Sequence, residues 1–225
     1  MALKLVVQFT LLTVVMAALL FWPAGTFDWP QAWIFLGEIS IVGMAISLWL
    51  LRYDPGLLQE RLRGGFQKDQ VFWDKVFMAI LMVAWFGWLA LMAFDAKRWN
   101  LGHMPVALNT AGAVLILIGF FIVWLTFREN SFAATVVKIQ IERGQKVIST
   151  GPYSIVRHPM YAGGALYMIG MPLLLGSWIG VACLPLLLCG LAQRIPIEER
   201  ALRAGLDGYE DYAVRVRYRL IPRIW

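Results

Sequence analysis

The sequence predicts an all-α integral membrane fold of about six helical segments, four spans plus a helical hairpin, followed by a cytoplasmic C-terminal helical tail. Three observations carry that prediction. Of 225 residues, 60% are hydrophobic and only 15% charged, against about 25% charged in a soluble domain. Four continuous apolar stretches are each long enough to cross about 30 Å of hydrocarbon as a helix. The 20 Lys and Arg are clustered, with seven after residue 192 and five from Arg128 to Arg157.

The first stretch, Leu3–Trp22, has Lys4 followed by an apolar run in the manner of a signal peptide. Its length suits a span, and no A-x-A-like site precedes Trp22-Pro23, so it reads as a retained first span. The next three are Ala32–Leu51, Phe72–Phe94 and Met104–Phe127. The run from Tyr161 to Ala192 is too long for one upright helix and too short for two generous ones. It holds Pro172 and Gly176-Ser177 near its middle, which predicts two short helices joined by a tight turn. Between the fourth and fifth stretches, Thr135–Ile141 and Gln145–Ser149 alternate weakly around Arg143-Gly144. That pattern fits a small hairpin, an extended crossing or an irregular loop. Residues 1–127 read as N-terminal membrane spans, and 128–225 as a core that packs with the fourth span into one membrane domain.

Loop charge sets the sidedness, because Lys and Arg favour the cytoplasmic face. Residues 23–31 have none and 95–103 have only Lys97 and Arg98, whereas 52–71 holds Arg52, Arg61, Arg63 and Lys68. Six crossings, or four plus a hairpin returning to its own side, put every rich segment inside and both termini in the cytoplasm. Five simple crossings would put the tail outside. The same clustering marks membrane flanks rather than a nucleic-acid face. Cys183 and Cys189 lie in an apolar run and imply neither a disulfide nor a metal framework. The chain contains no G-x-G-x-x-G, P-loop, metal-spaced His/Cys cluster or G-x-S-x-G.

Chemistry-bearing residues concentrate in two patches. The first runs from Gly151-Pro152-Tyr153 through Arg157-His158-Pro159 to Tyr161 and Gly163-Gly164. Pro159 suits a first helical turn, and the glycines let a helix or flat ligand approach the backbone. Taken singly, Arg157 has an ordinary role as a membrane-flanking cation, Tyr153 and Tyr161 as interfacial belt residues, and the glycines as packing sites. His103, in the sparse outer loop, reads as solvated. The second patch holds Arg194, Glu198-Glu199, Leu202, Tyr209, Tyr212 and Arg219. Following Pro196, the two glutamates could simply stabilise a first helical turn. Yet both patches meet at the mouth of one apolar hairpin, and ionisable groups there point to function.

Together the patches resemble a known family. Gly151-Pro-Tyr-x3-Arg157-His158-Pro159-x-Tyr161-x-Gly163, then Glu198-Glu199-x2-Leu202 with Tyr209-x2-Tyr212, are similar to the C-terminal core of the isoprenylcysteine carboxyl methyltransferases, relatives of the membrane phospholipid methyltransferases. Asn130-x-Phe132 also fits, and the likeness covers about residues 125–225. It implies an integral-membrane enzyme using S-adenosylmethionine without a Rossmann domain, and a lipophilic acceptor entering from the bilayer. It implies that Tyr153, His158, Pro159 and Tyr161 line the cofactor pocket, and that Glu198 and Glu199 hold the cofactor's ammonium or ribose hydroxyls. It also implies that Arg194 lies near an anionic acceptor, which makes Arg194 and Glu198 the catalytic candidates. A carboxylate or thiolate acceptor needs no base; an amine or hydroxyl would need Glu198 or His158. The step Leu206-Asp207-Gly208-Tyr209 places its tyrosine one residue closer to Leu202 than is usual. With the Arg-Leu-Ile-Pro ending, it looks like bacterial relatives and implies a bacterial inner membrane. Two other readings stand beside this one: an NADPH-dependent membrane reductase of the sterol-reductase type, which the paired carboxylates disfavour, and a non-catalytic membrane scaffold or small transporter.

Overall fold

The computed structural model describes residues 2–67, 70–99 and 101–225; Lys68, one of the loop cations named above, lies outside them. Long helices form where the apolar stretches were expected: α1 (Ala2–Ala24), α2 (Pro30–Tyr53), α4 (Phe72–Ala93) and α5 (Val106–Glu129). A short α3 (Pro55–Arg61) follows α2 at once, with Asp54 accepting from the Leu57 amide at 2.9 Å as its cap. The end of α4 widens into a π-helical turn, Phe94–Trp99. The hairpin is α6 (Pro159–Leu175) and α7 (Trp178–Gly205), and the tail carries α8 (Tyr209–Arg215). Among the described residues five helices, including α7 and the π-extended α4, are long and apolar enough to cross a membrane. The chain is an all-α integral membrane protein.

The hairpin breaks at Gly176-Ser177, where Gly176 adopts φ +79° and Ser177 caps α7 by accepting from the Gly180 amide at 2.8 Å. The two arms are unequal, which corrects the expectation of two short helices. α6 has 17 residues but α7 has 28, about 42 Å at 1.5 Å per residue. That exceeds the hydrocarbon thickness, so one end of α7 projects from it. Pro185 and Pro196 both lie inside α7, as spanning helices permit when neighbours satisfy the freed carbonyls. Glu198 and Glu199 therefore do not occupy a first helical turn, and dipole stabilisation does not explain them.

Among the described residues there is no strand. Thr135–Ile141 and Gln145–Ser149 do not pair as a ladder, because the intervening backbone is satisfied elsewhere. The Val137 amide donates to Asp74 Oδ2 at 2.8 Å and the Gln140 amide to Gln145 Oε1 at 2.7 Å, around a turn closed by Gly144 at φ +62°. The segment is an irregular crossing that packs Val136 and Val137 inward.

One core draws Leu20, Phe35, Met92, Ile116, Met171 and Leu184 from six helices on both sides of residue 127. Leu11, Ile41, Val83 and Leu186 point outward, as lipid-facing residues should. Helix association in lipid depends on close packing of small residues, and α5 and α6 show why. A Cβ on Gly119 would fall 2.6 Å from the Gly163 carbonyl oxygen, and one on Gly170 2.5 Å from that of Gly112. Two glycine pairs at seven-residue spacing thus bring the backbones into contact. At the end of the bundle holding the hairpin turn, Asp95 accepts from the Ser177 hydroxyl at 2.6 Å and the Ile179 amide at 2.9 Å. These contacts hold α6 and α7 in register, and so fix the relative placement of Tyr161 and Glu198 at the opposite end.

Candidate active site

The site is built where the start of α6, the last turns of α7, the irregular crossing and the tail converge. A turn at Gly151–Ser154 precedes α6; Gly151 takes φ +55° against Glu129, where a Cβ would lie 2.5 Å from Glu129 Cγ. The turn sets Tyr153, whose hydroxyl accepts from Asn130 Nδ2 at 2.8 Å and whose carbonyl accepts from the Tyr212 hydroxyl at 2.9 Å. The tail then docks through its backbone: the Arg157 and His158 amides donate to the Tyr218 and Arg219 carbonyls, each at 2.9 Å.

Beneath this lies a buried ionic hub. Arg157 Nε donates to Glu199 Oε1 at 2.7 Å, while its Nη1 reaches the carbonyls of Ala213, Val216 and Arg217. His158 Nε2 lies 3.3 Å from the same carboxylate oxygen, and Arg219 Nε donates to Glu199 Oε2 at 3.1 Å. Arg157 is only 8% exposed, so it is not a solvated membrane flank. It gathers carbonyls near the end of α8 that would otherwise lack donors. Tyr161 is 6% exposed and is not an interfacial belt residue.

The hub borders a cleft of about 780 Å³, counting the open space at its mouth. Tyr153, His158, Tyr161 and Glu198 line it. Glu198 is its carboxylate: Oε2 accepts from the Tyr161 hydroxyl at 2.6 Å and stands 3.9 Å from His158 Nδ1, with 26% of the side chain exposed. The other expected site residues lie behind the wall. Pro159 opens α6 as its first residue. Glu199 is consumed by Arg157, His158 and Arg219. Arg194 forms a fork to Asp74 on α4, Nε to Oδ1 at 2.7 Å and Nη2 to Oδ2 at 3.3 Å, and donates to the Thr135 carbonyl at 2.8 Å. With Nε and Nη2 so engaged, Arg194 ties the crossing to the bundle, and its guanidinium carbon lies 5.7 Å from the Tyr161 ring centre.

Two lining residues were quoted in the tail motif but given no role, Tyr209 and Tyr212. Burial raises the pKa of both hydroxyls, and of Tyr153, above the ordinary tyrosine value. The rings stay neutral at any physiological pH. The Tyr209 hydroxyl is buried without a hydrogen-bond partner among the described residues, a costly state for a polar group. His103 is exposed, as expected. No group of three or more His, Cys, Asp or Glu that could hold a metal occurs among the described residues.

Comparison with known proteins finds similarity over the C-terminal half of this architecture. Residues 108–205, from α5 to the end of α7, match the model of the phospholipid methyltransferase family. The match spans a little under half of the chain and shows what this part is similar to. The match contains both sides of the α5–α6 glycine contact and every residue from Tyr153 to Leu202 discussed above. Relatives with matching stretches include the rice (Oryza sativa subsp. indica) "Probable protein-S-isoprenylcysteine O-methyltransferase", 32% identical over 108 residues, covering 47% of this chain and 56% of the rice protein. The Arabidopsis thaliana "Protein-S-isoprenylcysteine O-methyltransferase B" is 33% identical over 82 residues, covering 36% and 42%. The chain thus spans about half the length of the curated relatives it matches. The isoprenylcysteine methyltransferase resemblance of its motifs agrees with both findings.

Proposed function

We propose that the protein transfers a methyl group from S-adenosylmethionine to a lipophilic acceptor at the cytoplasmic membrane face. The carrying observation is Glu198, the one carboxylate among the described residues of the cleft lining, half-buried beside Tyr153, Tyr161, Tyr209 and Tyr212. Of the cations that also line the cleft, Lys138 is paired with Glu60 and Arg157 with Glu199, and Lys146 stands next to Gln145 in sequence at its edge. A carboxylate suits an ammonium through charge-assisted bonds, which are strong where water is scarce, and tyrosine faces attract cations. The unpartnered Tyr209 hydroxyl is a further polar group ready for a ligand. The family and the named relatives support the same reading. When bound, the cofactor supplies an electrophilic methyl group carried on a sulfonium.

The chain's own residues position and desolvate. Tyr161 and His158 fix the Glu198 carboxylate, so that it meets the cofactor's cationic group without reorganising. Glu199 acts at one remove, by clamping Arg157 and hence the tail that closes the cleft. Arg194 acts likewise, by fastening the Thr135–Val137 backbone. Proximity and exclusion of water are the main demands of such a displacement. A carboxylate acceptor brings its own electron pair and releases no proton; a thiol or amine would need a base, for which His158, or Glu198 if it is not engaged with the cofactor, is the candidate. The bilayer supplies the acceptor through an apolar groove of about 1500 Å³ including its opening, lined by residues of α1, α2, α5 and α6. The orientation proposed, with both termini in the cytoplasm, rests on the Lys and Arg distribution.

The test is transfer of a radiolabelled methyl group by purified protein in lipid nanodiscs, offered S-farnesyl-thioacetic acid, a farnesyl thiol or a farnesyl amine. The reading expects label in one of the three, with base-labile ester from the acid. Absence of label from all three, in protein that retains its fold, would overturn it.

A further inference from the structure

The apolar groove has one charged residue in its lining, Arg61, the last residue of α3. Around it stand Leu58, Leu62, Phe127 and Val123. The guanidinium lies 4.3 Å over the Phe127 ring centre, and Nη1 donates to the Ala133 carbonyl at 3.0 Å and approaches Met160 Sδ at 3.9 Å. Ala133 and Met160 both line the cofactor cleft. Arg61 therefore stands on the partition between groove and cleft. Its neighbouring carboxylate is already committed, since Glu60 pairs with Arg63 and Lys138. Among the described residues no carboxylate pairs with Arg61.

A guanidinium held among apolar groups without an anion is an unfavourable arrangement unless an anion arrives with a ligand. Burial pushes the Arg61 guanidinium down to about 10, which still leaves it charged at neutral pH. An arginine fork also matches a carboxylate in two hydrogen bonds. The groove beyond it is lined mainly by apolar residues, with Gln8, Thr13 and Ser47 among them, and suits an apolar chain; Gly164, where an added Cβ would meet nothing within 4 Å, keeps its wall open.

Resting on the methyltransferase reading, we propose that Arg61 is the specificity-determining residue for the acceptor: it binds the carboxylate of an acidic amphiphile whose chain lies in the groove. Arg194, bound to Asp74, is not free for this task. Arg61 holds the acidic head against Met160 and Ala133, at the wall shared with the cleft. Neutral amphiphiles of the same chain length enter the groove but lose that pairing.

The test is equilibrium binding, without turnover, of S-farnesyl-thioacetic acid, its primary amide and farnesyl phosphate to the full chain in nanodiscs. The unsubstituted protein should prefer the acid over the amide by about tenfold or more, the scale of one charge-assisted pairing. Arg61→Gln should abolish the preference while leaving amide binding unchanged, and Arg61→Lys should keep part of it. Equal binding of acid and amide by the unsubstituted protein would overturn the proposal even if the variants failed to fold. An unchanged preference in Arg61→Gln would also overturn it, and tighter binding of farnesyl phosphate than of the acid would overturn the carboxylate assignment. S-adenosylhomocysteine binding, measured on the same samples, separates the two levels. Its retention beside a failed acid preference leaves the methyltransferase reading standing, and its absence beside a sustained preference removes that reading alone.

Discussion

Adjacent glutamates on α7 should fail in opposite ways. Glu199 is 4% exposed at its side chain and pairs with Arg157, itself 6% exposed, at 2.7 Å. Breaking a buried ion pair by removing one charge costs about 3–5 kcal/mol. Glu199→Gln keeps one acceptor oxygen, and Arg157 keeps its carbonyls, so the lower end applies, about 3 kcal/mol. At about 2–4 °C per kcal/mol for a chain of this size, melting in detergent should fall by about 6–12 °C. Glu198, 26% exposed and bonded to one hydroxyl, should cost less than about 1 kcal/mol as Gln. Its loss should appear in S-adenosylhomocysteine affinity instead, by about 10- to 150-fold for a charge-assisted bond worth about 1.5–3 kcal/mol. Differential scanning fluorimetry and calorimetric titration of both variants separate the effects. A Glu199→Gln protein that melts within about 2 °C of its parent yet no longer binds the homocysteine would refute the reasoning, because Glu199 would then be touching the ligand rather than holding the tail.

Other outcomes follow from the same geometry. Gly119→Ala should cost about 1–3 kcal/mol by forcing α5 off α6, whereas Gly164→Ala, which opens on empty space, should stay within about 0.5 kcal/mol; thermal unfolding of the pair checks this. Arg194→Met should destabilise by about 3–5 kcal/mol by stranding Asp74, and the Asp74→Asn, Arg194→Met double variant should recover part of the loss; additive losses would mean the fork is not coupled. Tyr209→Phe should leave stability unchanged or raise it by up to about 1 kcal/mol, since the hydroxyl has no partner to lose among the described residues. The same substitution should weaken S-adenosylhomocysteine binding a few-fold in titration.

The spans were legible because lipid imposes a single rule along the chain, some twenty apolar residues per crossing, and α1, α2, α4 and α5 obey it. The hairpin turn was legible in Gly176-Ser177, whose backbone needs are local. Pro196 misled, because a proline that ends a helix in water can sit inside one that neighbours support. The Val and Ile of Thr135–Ile141 suggested pairing, but Asp74, far away in sequence, takes the Val137 amide instead. Site legibility divides the same way. Motifs named Tyr153, His158, Tyr161 and Glu198, which do line the cleft. They could not say that Glu199 and Arg194 face partners within the protein, since Asp74 is 120 residues from Arg194 and Arg219 reaches Glu199 from the tail. Arg61 had no motif at all. Within 52–71 it reads as one more flanking cation, and only the packing of α3 against Phe127 and Met160 distinguishes it from Arg52.

The central claim is that the aromatic cleft around Glu198 holds a cationic adenosyl cofactor. Calorimetric titration of the detergent-purified protein with S-adenosylhomocysteine and, separately, with NADPH tests it most directly. The account predicts saturable heat with the homocysteine, reduced at least about tenfold in affinity by Glu198→Gln, and none with NADPH. Saturable heat with NADPH and none with the homocysteine would contradict it.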